Sequence, residues 1–154
     1  MLYLFVKYLH VLGAIVILGT GSGIAFFMLM AHRSGEPAFI ARTASVVVLA
    51  DMMFTLTAVL LQPVTGGILM TMSQTSPTEG WLATSLVLYA VAGAFWVPVI
   101  FMQREMRDLS RVAAEKNKPL PPRYFTLYNR WFLFGIPGFG SVMAIVYLMI
   151  AKPF

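Results

Sequence analysis

His10 stands in the stretch KYLHVLGAIVILGTGSGIAFF, residues 7–27, three positions after Lys7 and ahead of a run of apolar and glycine residues. At helical spacing His10, Gly13, Ala14, Ile17, Thr20 and Gly21 share one face. Small residues on such a face let a flat group or a second backbone come close. A neutral imidazole suits haem iron, and Lys7 or Lys152 could then pair with the haem propionates. The same pattern also reads as tight helix packing, because Gly19 and Gly23 form a small-xxx-small motif and a histidine can hydrogen-bond across helices. His32 lies roughly 33 Å further along a helix, so the two histidines cannot share one haem. A second axial ligand would come from another chain, a methionine or Lys7, or be absent.

Asp51 is the next residue that needs a reason, since a carboxyl inside an apolar stretch is costly in a membrane. It reads either as an interhelical partner of Arg130, Asn129 or a tyrosine, or as a proton donor to a buried site, with Tyr89 as the other relay candidate. Gln62, Thr55, Thr57 and Thr65 are milder, and hydroxyls often bond back to their own helix. His32, beside Arg33, reads as a solvated interfacial residue. The eleven methionines are mostly packing residues, although Met28, Met30, Met52 and Met53 fall near one surface, where a soft metal such as copper would be the guess. The absence of cysteine removes disulfides and thiolate metal sites. No phosphate loop, nucleophile elbow or zinc-protease pair occurs, and GTGSG has no strand before it.

The elements that carry these residues follow from composition. Of 154 residues, 59% are hydrophobic and 11% charged, a balance that leaves too little polar surface for a water-soluble domain. Four stretches, Tyr8 to His32, Met52 to Thr78, Gly80 to Gln103 and Trp131 to Ala151, lack Asp, Glu, Lys and Arg, and each is long enough to cross the roughly 30 Å hydrocarbon core. The expectation is an all-α integral membrane four-helix bundle forming one domain over 1–154, with helices at about 2–30, 41–72, 81–103 and 128–151. The first segment is expected to be retained, since it runs past a signal-peptide length and lacks a small-residue cleavage pattern. Pro63 with Gly66 and Gly67 predicts a kink in the second helix, and FGIPGFG predicts a bend or local unwinding in the fourth. Residues 104–127 read as an amphipathic extension, REMRDLSRVAAEKN, followed by a linker, KPLPPRYF, kept extended by its prolines. Met106, Leu109, Val112 and Ala113 on one side of the extension suit a headgroup layer or a partner, or simply a solvated helix end.

Arg33, Arg42 and the seven basic residues between Arg104 and Arg130 flank two of the connections, whereas SQTSPTEG has none. The positive-inside rule then puts both termini and SQTSPTEG on the outer, periplasmic side of a bacterial inner membrane. The net charge of +5 is chiefly this topology signal, and nucleic-acid binding is not expected.

The pattern K-Y-L-H-V-L-G-A from Lys7, G-T-G-S-G-I-A-F-F-M, A-H-R, L-A-D from Leu49, L-Q-P-V-T-G from Leu61 and the closing Y-L-M-I-A-K-P resembles a family of predicted four-helix bacterial integral membrane proteins carried as a domain of unknown function. The two ends also resemble the HemJ-type protoporphyrinogen oxidases, four-helix membrane proteins that bind haem b. That resemblance maps the K-x-x-H stretch with its haem-ligating histidine onto Lys7 and His10, F-x-x-Y-N onto Phe125, Tyr128 and Asn129, and K-P-F onto Lys152, Pro153 and Phe154. The third helix departs from it, having Tyr89 and Trp96 where a lysine and a tyrosine-histidine pair are implied. Three functions follow as expectations. One is a haem b protein of redox or electron-transfer type, with His10 on the iron, Lys7, Gly13, Ile17 and Gly21 around the cofactor, and Asp51 or Tyr89 relaying protons. Another is a cofactor-free accessory subunit that associates with a second membrane complex or with its own copies. A third is a small oligomeric transporter lined by Asp51, Gln62 and FGIPGFG.

Overall fold

The computed structural model describes residues 1–153; Phe154, the last position of the K-P-F match, lies outside them. Four long helices account for nearly all of the chain: α1 (Leu2–Ser34), α2 (Pro37–Ser73), α3 (Gly80–Glu115) and α4 (Pro122–Ala151). Each is long and apolar enough to cross a bilayer. Large apolar side chains such as Leu4, Val46, Val87, Phe101 and Leu133 are exposed around the outside, as a lipid-facing surface requires.

Sequence chemistry sets the helix ends. Gly35 adopts a left-handed conformation (φ 68°) and returns its N–H to the carbonyl of His32, which stops α1. Pro37 and Pro122 sit at the first turns of α2 and α4, where a missing N–H costs nothing and a fixed φ favours the start. Pro122 explains why RYF of the expected linker is helical, so that α4 begins six residues early and only the stretch before it remains extended. The amphipathic extension continues the third helix, as expected: α3 runs unbroken for 36 residues, about 54 Å, and projects well past the membrane thickness.

One expectation about helix breaks is corrected, the local unwinding in the fourth helix; α2 likewise stays helical through Pro63. FGIPGFG stays helical through Pro137. Of its three glycines Gly138 serves packing: a Cβ there would stand 3.5 Å from Cβ of Phe95, so α4 approaches α3 closely, whereas Gly135 and Gly140 have nothing within 4 Å. The irregularity falls instead in α2 at Asp51–Thr55, a π-helical turn in which the N–H of Leu56 reaches the carbonyl of Asp51.

Chain direction alternates, so the termini and the 74–79 turn share one end and the basic connection before α4 lies at the other. α3 packs along α4, the first half of α2 packs against α3, and α1 packs against both halves of α2. The buried apolar core is concentrated toward the basic end, where Met28, Ile40, Val47, Met106, Tyr124 and Trp131 meet. The face of the extension is covered there by its own chain: Met106 is fully buried and Leu109 packs against the core, while Val112 stays exposed.

Candidate functional site

Nearer the terminal end the interior is polar and small. His10 Nδ1 lies 2.8 Å from Thr65 Oγ1. The threonine hydroxyl proton is already committed to backbone, since Oγ1 donates to the carbonyl of Leu61 at 2.8 Å and approaches that of Gln62 at 3.3 Å. Thr65 therefore accepts from His10, which fixes the proton on Nδ1 and leaves the lone pair of Nε2 free. The ring rests against Gly66, where a Cβ would stand 3.4 Å from His10 Cε1.

Gln62 ties the same two helices together by donating from Nε2 to the carbonyl of His10 at 2.8 Å. Gly13 is what admits it: a Cβ there would lie 2.5 Å from Gln62 Nε2. The sequence reading gave the glycine face to a flat group, and at Gly13 the space is taken by an amide. Ile17 is half-buried on the same face, and Gly21 faces the ring of Phe139, 3.5 Å from where its Cβ would be. Gly19 has nothing near it. Lys7 is exposed with its Nζ 6.0 Å from the ring of Tyr3, and Lys152 lies 4.8 Å over the ring of Trp81. Among the described residues neither lysine pairs with a carboxylate.

Asp51 and Tyr89 are not brought together. Tyr89 donates its hydroxyl to the carbonyl of Val59. Asp51, 3% exposed, sits about two helical turns from Val59 along α2, on the π turn. Its neighbours are Thr55 of its own helix and Trp96 and Gln103 of α3, and not Arg130, Asn129 or a tyrosine. Nothing in the sequence analysis linked Trp96 or Gln103 to Asp51. Their seven-residue spacing puts both on one face of α3, as the four-residue spacing puts Asp51 and Thr55 on one face of α2, and that joint pattern was the available signal.

His32 is not simply solvated. Its ring stacks on Tyr128 with centroids 3.6 Å apart and planes 6° apart, and its Nδ1 is 3.3 Å from the hydroxyl of the fully buried Tyr124. The four methionines do not face one centre: Met28 is buried in the core, Met53 is exposed, and the sulfur of Met52 accepts from Arg104 at 3.3 Å.

No curated protein and no solved structure matches the chain. A family model does, over residues 4–153, with the description predicted integral membrane protein (DUF2269). That span takes in both ends of every helix but the outermost residues of the first, and with it His10, Gln62, Thr65, Asp51 and Gln103. The chain belongs to this family of predicted integral membrane proteins, DUF2269.

Proposed function

We propose that this is a haem b protein of the bacterial inner membrane, of redox or electron-transfer type, with His10 as the axial ligand. The observation that carries the proposal is the bond between His10 Nδ1 and Thr65, because it holds a neutral imidazole in the one tautomer whose Nε2 can donate to iron. Two features of the surroundings support the reading, although the Gln62 amide and Phe139 fill the face at Gly13 and Gly21. The packed apolar core lies toward the other end of the bundle, and Gly66 keeps the His10 ring free of any side chain on that side. Lys7, one turn from His10 and free of carboxylates among the described residues, supplies a cation for a propionate. Bound haem would supply one-electron transfer. The protein's part is to bind through His10, to hold that ring through Thr65, and to keep α1 and α2 in register through Gln62 and the His10 carbonyl. The charge asymmetry of the connections orients the His10 end outward, toward the periplasm.

The test is the absorption spectrum, oxidised and dithionite-reduced, of the detergent-purified protein beside its His10→Ala variant. A Soret band with sharp reduced bands that vanishes in the variant is the expected result. A colourless wild type from haem-replete cells overturns the proposal.

A further inference from the structure

Four of the five buried, unpartnered side-chain polar atoms among the described residues gather around Asp51; the fifth, Trp131 Nε1, stands alone. Thr55 Oγ1, Trp96 Nε1 and both amide atoms of Gln103 are buried and have no hydrogen-bond partner in the protein. Gln103 is 1% exposed, Asp51 3% and Thr55 5%, so lipid and bulk water are both shut out. All of them face Asp51 without closing a hydrogen bond to it. The local backbone departs from regular helix at the same place, since Asp51 and Thr55 bound the π turn. Single π turns inside α-helices recur at functional sites.

The inventory of unpaired atoms specifies the occupant. Trp96 Nε1 is a donor only, Gln103 Nε2 is a donor, Gln103 Oε1 and the Asp51 oxygens accept, and Thr55 does either. A bare metal cation would satisfy the acceptors and leave both N–H groups facing positive charge. An anion would satisfy the N–H groups and face the carboxylate. Water both donates and accepts, so it alone among small occupants serves every member. The same set also serves both forms of the carboxyl. Ionised Asp51 accepts from Trp96, Thr55 and the Gln103 amide N–H, directly or through water. Protonated Asp51 donates its O–H to Gln103 Oε1, again directly or through water.

We infer that Asp51, Thr55, Trp96 and Gln103 form a hydrated proton-binding site inside the membrane, distinct from the His10 centre. In the loading step an Asp51 oxygen takes a proton from a hydronium ion and leaves a water molecule; unloading is the reverse. Among the described residues no charged side chain forms an ion pair with Asp51. Along α1 nothing titratable lies between His10 and His32, along α3 nothing between Tyr89 and Arg104, and along α4 nothing between Arg130 and Tyr147. Arg104, next to Gln103 in the chain, turns its guanidinium onto the sulfur of Met52 and forms no ion pair with Asp51.

The chain has two aspartates, and this makes a direct test practicable. Protein carrying carboxyl-labelled aspartate, reconstituted in lipid nanodiscs, is followed by infrared difference spectroscopy as the pH is stepped. Asp108, exposed and paired with Arg107, serves as the ordinary carboxylate in the same spectrum. The expected result is one further titrating aspartate band at a buried-carboxyl frequency, shifted in heavy water, absent in Asp51→Asn, and moved in both Gln103→Leu and Trp96→Phe. A buried aspartate band that does not titrate, or one unchanged in Gln103→Leu, overturns the inference. If Asp51→Asn fails to fold, the label and the two α3 variants decide the matter alone. The readout is independent of haem: the band is sought equally in colourless protein, so the two proposals fail separately.

Discussion

The hydroxyl of Tyr89 is bonded to the carbonyl of Val59, the one carbonyl of α2 that Pro63, four residues on, cannot serve. A proline inside a helix removes the N–H that would close this turn, and in a bilayer no water replaces it. Tyr89 from α3 makes the missing bond, so the proline and the tyrosine form one device split between two helices. Tyr89→Phe should therefore destabilise the protein by about 1–2 kcal/mol, the cost of an orphaned buried acceptor. In a Pro63→Ala background, where an amide serves Val59 again, the same change should cost less. Reversible unfolding in mixed micelles, run as a double-mutant cycle, measures the coupling; additive losses would show that the two residues act independently.

Gly13 and Gly19 provide a second, contrasting pair. A methyl at Gly13 displaces the Gln62 amide from the His10 carbonyl and leaves its buried N–H groups unpaired, a loss of about 1–3 kcal/mol. At Gly19 a methyl meets nothing, and the gain in helix propensity, up to about 1 kcal/mol, should prevail. Gly13→Ala is thus expected to lower the unfolding free energy and Gly19→Ala to hold or raise it. Equal effects would mean that the Gln62 bond contributes little.

How much of this was legible beforehand depends on the range of the interaction. Four spans, one basic end and the turn at Gly35 follow from hydropathy, charge and a glycine, all local signals, and the helices appear where expected. The extension continues the third helix, as its pattern implies, and its apolar face is covered from within the chain; the start of α4 escapes a local reading because Pro122, a breaker inside a helix, is a starter at a first turn. The fate of Pro63 and Pro137 could not be read locally. A proline is tolerated in a membrane helix when a neighbouring helix meets its needs, and the neighbour for Pro63 is Tyr89, 26 positions away in the chain. The pairing of His10 with Thr65, 55 positions apart, depends likewise on the register of α1 against α2, which no periodicity encodes. Asp51 stood out in the sequence by its charge. The side chains around it did not, because Trp96 and Gln103 carry no charge and meet Asp51 only through the register of α3 against α2.

At the basic end, His32 fills a position between Tyr128, on which it stacks, and the buried hydroxyl of Tyr124. Removing the ring in His32→Ala takes away both contacts and should cost about 2–3 kcal/mol, the stacking contribution plus one unpaired hydroxyl. His32→Phe keeps the stack and loses only the hydrogen bond, so it should recover roughly half of that loss. Thermal unfolding of the three proteins in one detergent orders them; His32→Phe no better than His32→Ala would show that stacking contributes nothing.

Thr65 separates the histidine's chemistry from its packing. Thr65→Ser keeps the hydroxyl and its back-bond to Leu61, and with them the Nδ1 proton of His10; Thr65→Val keeps the shape of the side chain and removes the acceptor. Without that acceptor His10 is free to carry its proton on Nε2, which then cannot ligate a metal, and second-shell losses of this kind typically weaken binding about 10- to 100-fold. If the haem proposal holds, the valine variant should release haem to a scavenging apoprotein correspondingly faster than wild type, with the serine variant close to wild type. Both variants should remain folded by circular dichroism, because each preserves the volume or the bond that the packing uses. Equal release rates from all three proteins would separate His10 ligation from the Thr65 bond and remove the observation on which the assignment rests.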